Sequence, residues 1–260
     1  MSASANPREV VQDLLEHRDW PPLLALARED RRLLGRLLPF TYQPEGLLRW
    51  RAVEALGLAA GAVAERDPEY VRGILRRLHW SLSDESGGIG WSAPEAMGEI
   101  VAARPDLFAD WAPIVASLFT TMEEDYFRPG IIWGVGRIAG PAPTLVREAY
   151  PDVAACLAEH DPRVRGLAAW CLGQLGHPEA TTPLRQLLAD PAPLEIYEEG
   201  LLRATTVGEL AREALARLRQ EHGQATAPSP TLLGRGRGEA ARTLALPHPK
   251  RSLRPVESPN

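Results

Sequence analysis

The sequence predicts an all-α protein: an α-solenoid of about five stacked antiparallel helical pairs, right-handed and followed by a disordered C-terminal tail. Three observations carry this. One segment recurs at intervals near forty residues, apolar residues follow helical spacing between its copies, and no stretch alternates with the period of two that marks a half-buried strand. Essentially no sheet is expected.

The recurring segment is clearest in Trp50-Arg51-Ala52-Val53-Glu54-Ala55-Leu56-Gly57 and Trp91-Ser92-Ala93-Pro94-Glu95-Ala96-Met97-Gly98, identical at five of eight positions with an offset of 41. Further shifts of 38, 37 and 43 align Gly98 with Gly136, then Gly173, then Ala216. Five helices therefore share one register. The spacing leaves room for one partner helix in each interval, which is the period of stacked helical pairs.

The partners fall where that arithmetic places them. Pro7 to His17 and Pro21 to Leu38 form an N-terminal pair, so that residues 1–40 cap the array. Asp67 to Leu82 opens with an Asp-Pro cap and sets Val71, Ile74, Leu75 and Leu78 on one face. Asp106 to Thr121, Thr144 to Glu159 and Pro178 to Ala189 follow, each bordered by Pro or Gly. No pair covers its own apolar face, so neighbours must stack.

The run Asp161-Pro162-Arg163-Val164-Arg165-Gly166-Leu167-Ala168-Ala169-Trp170-Cys171-Leu172-Gly173-Gln174-Leu175-Gly176 resembles the inner-helix signature of HEAT-like repeats, the short PBS-lyase type in particular. Together with the Trp50 and Trp91 units and Asp84-Glu85-Ser86-Gly87-Gly88-Ile89-Gly90, the chain also resembles a small group of uncharacterised bacterial HEAT-like repeat proteins over about residues 40–220. The resemblance implies a curved solenoid and brings no activity with it.

Charge divides the chain. Residues 1–221, the expected solenoid, hold 23 Arg against 32 acidic residues, whereas 222–260 hold six basic residues against two acidic ones. An acidic body argues against nucleic acid as the main partner, because phosphate neutralisation wants a basic face. The Pro- and Gly-Arg-containing segment 222–260 buries too little apolar surface to order itself. The longest apolar run, Gly57 to Ala64, is far too short to span a bilayer, and the N-terminus lacks the features of a signal peptide. The expected location is the cytoplasm, with no membrane association. Cys156 and Cys171 read as buried thiols.

Candidate contact residues come from the register. With Val164, Ala168, Cys171, Leu172 and Leu175 as the apolar stripe, Trp170 falls about 140° from its centre and faces the concave groove. Equivalent positions make an inner row of Glu54, Glu95, Trp133, Trp170 and Glu213, and four residues on lies a second row, Glu99, Arg137, Gln174 and Arg217. Acidic groups at one end and Trp faces with Arg at the other suit an extended peptide or a flat cationic or polar ligand. Equally, the tryptophans fill gaps between repeats and the carboxylates pair with neighbouring Arg. Asp84 and Glu85, ahead of a Gly-rich run, stand at one rim as either a ligand contact or a helix-end turn. Glu123-Glu124-Asp125 reads as a solvated loop between repeats.

No catalytic residue, metal ligand or cofactor is assigned. None of the six histidines is followed by Glu or spaced as a ligand pair, so the His-Glu motifs of HEAT-like iron-dependent hydroxylases are missing. The Gly-x-Ser-x-Gly elbow is missing too, and only the shared helix signature links the chain to bilin lyases. One enzymatic alternative stands: HEAT-like DNA glycosylases use groove tryptophans, an acid and an arginine, for which Trp133, Trp170, Glu95 and Arg137 qualify. The reading preferred here is a non-catalytic scaffold that holds a protein or peptide through Glu54, Glu95, Glu99, Trp133, Arg137 and Trp170, with Asp84 and Glu85 at the rim.

Overall fold

The computed structural model describes residues 6–43, 46–83, 92–122 and 125–225, with side chains to residue 220. The expectations for Asp84 and Glu85, for Glu123-Glu124 and for the tail beyond Ala225 lie outside the described residues.

Three short helices open the chain: α1 (Pro7–His17), α2 (Trp20–Glu29) and α3 (Leu33–Thr41). The single helix expected over Pro21 to Leu38 is in fact two. The break comes at Asp30, whose carboxylate accepts hydrogen bonds from the backbone N–H of Arg32 at 3.0 Å and from the Arg36 guanidinium at 2.9 Å. A short acceptor that satisfies the next helix's amide competes with helix continuation.

The repeats follow in order: α4 (Leu47–Ala64) and α5 (Pro68–Ser81); α6 (Ala93–Ala103) with the short α7 (Pro105–Phe108) and α8 (Ala112–Thr121); α9 (Arg128–Ala139) with α10 (Tyr150–Ala155); α11 (Pro162–Leu175) with α12 (Thr181–Gln186). Then come two strands, β1 (Pro193–Glu198) and β2 (Leu201–Thr206), and the last helix, α13 (Val207–Ala225), which runs past the boundary expected at 221. Asp67 and Asp161 cap α5 and α11 as their Asp-Pro sequences imply, accepting from Tyr70 N at 3.0 Å and Arg163 N at 2.8 Å. Gly176 ends α11 in the left-handed region at φ 66°.

The shared register is the stacking surface. Helices α4, α6, α9, α11 and α13 pack each on the next in that order, and α5, α8, α10 and α12 back them from outside. The recurring glycine permits the close approach. A Cβ on Gly98 would run into the backbone of Gly134, and one on Gly173 would come within 2.8 Å of Ala214. The spacing found in the sequence is therefore that of helix-to-helix contacts.

The strands correct the expectation of no sheet. β1 and β2 pair antiparallel from Pro193↔Thr206 to Glu198↔Leu201 and leave a two-residue turn, Glu199-Gly200. Both turn residues have positive φ, 51° and 85°, the geometry that matches the twist of a hairpin. Leu194 and Ile196 are buried while Glu195 is exposed, so Leu-Glu-Ile does alternate, over too few residues to register against the helical pattern.

Candidate functional site

The hairpin occupies one part of the inner face, at Trp50 and Glu54. Leu194 packs on Gly166 of α11, and the turn reaches back to the N-terminal helices. There the Arg51 guanidinium donates to Gly200 O at 3.3 Å, and Gly200 lies against Arg18. The Tyr197 ring stacks on Trp50 with centroids 5.5 Å apart and planes 7° apart. Trp50 in turn meets Trp133 at 4.8 Å, and Trp133 meets Trp170 at 6.4 Å. A continuous aromatic row, Tyr197–Trp50–Trp133–Trp170, fills the middle of the inner face.

The inner-row candidates are accordingly engaged within the chain. Trp133 and Trp170 are 1% and 7% exposed, which corrects the expectation that Trp170 faces an open groove: the row is a packed seam between repeats. Neither indole N–H has a hydrogen-bond partner among the described residues. Glu54 accepts from Arg18 at 2.6 and 3.1 Å and from the Tyr197 hydroxyl. Burial works against its charge, but those hydrogen bonds and the Arg18 cation hold the carboxyl below the ordinary range. The same burial, reinforced by the Glu54 charge, pushes the Tyr197 phenol up. Glu213 is taken by Arg203 at 3.0 Å.

Glu95 is sealed deepest. It pairs with Arg49 at 3.2 Å, both side chains almost fully buried, and Gly130 presses on its carboxylate where any Cβ would collide. Burial raises its pKa, opposed only in part by the charges of Arg49 and Arg163. The glycosylase alternative needs this acid beside a ligand, and Arg49 and Gly130 occupy the space around it.

The second row differs. Glu99 pairs with Arg137 through two contacts, 2.9 Å to Nε and 3.2 Å to Nη2, and Gln174 Oε1 accepts from Arg217 at 2.8 Å. Glu99, Arg137 and Gln174 stand around a cavity of about 280 Å³ lined also by Leu58, Ala102, Pro141 and Trp170. Arg137 is 43% exposed and also lies over the Trp133 ring at 5.5 Å, whereas Glu99 is buried. Burial pushes the Glu99 carboxyl up to about 7, with Arg137 pulling the other way. One end of the inner face thus keeps a polar opening with an apolar floor.

Helical register singles out Glu54, Glu95, Glu99, Trp133, Arg137 and Trp170 but not their counterparts Arg18, Arg49, Trp50 and Tyr197. Trp50 stood in the repeat itself, one turn ahead of Glu54. The signal for Tyr197 was the Glu199-Gly200 turn between short apolar runs. Among the described residues no three metal-ligating side chains cluster, and no helix is long and apolar enough to cross a membrane.

Residues 112–199 match the family model for HEAT repeats. A 118-residue stretch is 35% identical to an uncharacterized protein of Archaeoglobus fulgidus; the match covers 45% of this chain and 58% of that protein's length. Two solved structures are similar over 84% of this chain. The first is an engineered protein, matched over 93% of its length at 14% identity with a TM-score of 0.46. The second is the archaeal HEAT-like repeats protein from Thermococcus onnurineus NA1, matched over 82% at 20% identity with a TM-score of 0.36.

Proposed function

We propose that this chain, a HEAT-like repeat protein, is a non-catalytic scaffold that binds a protein or peptide segment at the open end of its inner face, around Glu99, Arg137, Trp170 and Gln174. The supporting observation is the contrast between the two rows. Glu54, Glu95, Trp133 and Glu213 of the inner row are consumed by internal contacts, whereas Trp170 and, from the second row, Glu99, Arg137 and Gln174 line a cavity with a half-exposed guanidinium. Concave pockets with an apolar floor and a few convergent polar groups are where ligands dock.

Glu54, Glu95 and Trp133 thereby become supports of the inner face. Each is held by a named partner, and truncating it would disturb the position of the contact residues. The cytoplasm is the proposed setting, in keeping with two free buried thiols, Cys156 and Cys171, the latter pushed up by burial so that it stays an unreactive thiol.

A displayed peptide library panned against the wild type and against an Arg137→Ala/Gln174→Ala variant tests the reading. Peptides enriched by the wild type should be lost by the variant, whose folding is checked by circular dichroism. Enrichment of no sequence, or equal retention by the variant, would end it.

A further inference from the structure

We propose that the Glu99–Arg137 cavity is a carboxylate subsite, in which an acidic group of the bound peptide, a side chain or a C-terminus, seats on the free edge of the Arg137 guanidinium. The proposal rests on the peptide-scaffold reading and supplies the chemistry by which that site selects its partner.

A guanidinium carries five N–H donors along two edges. Glu99 takes the edge formed by Nε and Nη2, at 2.9 and 3.2 Å. Nη1 has no hydrogen-bond partner among the described residues, and the side chain is 43% exposed at the cavity. The Nη1/Nη2 edge matches the two oxygens of a second carboxylate, a fork-to-fork contact that an ammonium cannot make. The Trp133 ring beneath the guanidinium holds its plane.

Arg217 and Gln174 extend the match. Arginine only donates, so the Arg217 contact assigns the accepting end of the Gln174 amide as Oε1, at the cavity wall beside Gly140, and leaves its N–H groups uncommitted by that contact. Arg217 also brings a second cation next to Gln174, outside the cavity lining itself. The carbonyl ends of α6, α9 and α11 come to this end of the face and oppose an anion with partial charges of about half a unit each. Two full positive charges, one of them on the cavity wall, offset them once Glu99 carries a proton. Leu58, Ala102 and Pro141 give the ligand's methylenes an apolar floor.

Glu99 makes the subsite responsive to protons. The charges facing it are Arg137 from α9 and Glu54 from α4, and burial exceeds the pull of Arg137, so the carboxyl titrates at about 7. An arriving carboxylate, itself ionised far below that pH, sets a second negative charge beside Glu99 and drives a proton onto it. Acid binding therefore tightens as pH falls from 8 toward 6.

The test is a solution NMR titration of the full chain that follows the Arg137 Nε–H resonance, identified by its loss in Arg137→Lys. The probes are N-acetyl-Ala-Leu-Ala-Ala-Ala as free acid and as amide, N-acetyl-Ala-Leu-Glu-Ala-Ala amide with its Gln twin, and acetate. One acid, or both, should move the resonance and bind about tenfold tighter than its neutral twin, a charge-assisted pair converted to affinity. Which acid does so separates a C-terminus from a side chain. Glu99→Gln should tighten acid binding and remove its pH dependence, a gain that misfolding cannot imitate. Neutral twins binding as well as the acids would overturn the carboxylate subsite and leave the scaffold. Acetate moving the resonance while no peptide binds more tightly than acetate would keep the subsite and overturn the peptide reading. Silence from every probe would overturn both.

Discussion

Trp50 and Trp133 touch ring to ring, centroids 4.8 Å apart, although they belong to α4 and α9 and α6 is stacked between those helices. Their contact closes over the intervening helix, and it fixes the middle of the inner face as core. Removing one of these rings should cost what a buried aromatic costs. Trp133→Ala is expected to destabilise by about 3–5 kcal/mol in urea unfolding, with loss of cooperative unfolding as the extreme outcome. A change below about 1 kcal/mol would mean that the row is loosely packed.

The Tyr197 hydroxyl secures the hairpin to Glu54, which Arg18 also holds. Tyr197→Phe keeps the stack on Trp50 and removes only the donor, so about 1–2 kcal/mol should be lost. Amide hydrogen exchange should accelerate in β1 and β2 before it does in α11. Uniform acceleration throughout the chain would show that the hairpin has no separate opening.

Glu99 gives the stability a slope with pH. Its folded pKa of about 7 lies above the unfolded value near 4.5, so between these pH values the folded state binds the extra proton. The sign follows: this group's contribution falls as pH rises from about 4.5 to 7 and is flat above. The full effect is about 3 kcal/mol for a buried group with this shift. Glu99→Gln should flatten that part of the urea midpoint-versus-pH curve, leaving Glu95, also raised by burial, to supply any slope of the same sign.

Two glycines separate close packing from helix propensity. Gly35 in α3 has nothing within 4 Å of an added Cβ, so Gly35→Ala should raise stability by about 0.5–1 kcal/mol. Gly98→Ala would force Cβ into the Gly134 backbone and should destabilise by about 2 kcal/mol or more. Thermal melts of the two variants should move in opposite directions.

The pattern of these costs also explains what the sequence disclosed. Periodicity was legible because Gly98 and Gly173 must recur wherever one helix nests against the next, and each Asp-Pro cap marks a helix start by local chemistry alone. The hairpin was not legible as sheet, since its alternation is short. Its position depends on Tyr197 meeting Trp50 and Glu54, contacts that local spacing does not encode. Helical register placed the described candidates in two rows along the stacked helices, a matter of local spacing. Whether each faced solvent was set by contacts between distant residues: Trp50 and Trp170 enclose Trp133, Gly136 receives Trp170, and Arg49 and Gly130 seal Glu95, while Arg137 stayed reachable.

Stacked repeats ordinarily communicate only with their neighbours, so such arrays fray from the ends and tolerate the gain or loss of a unit. Here bonds join residues 143 and 149 positions apart, Glu54 to Tyr197 and Arg51 to Gly200. The first helices and the last repeat are therefore answerable to one another. Duplicating or deleting a repeat would carry the hairpin past its anchor and orphan Glu54 and Trp50. The number of repeats is a fixed dimension of this molecule, as the number of strands is in a closed barrel.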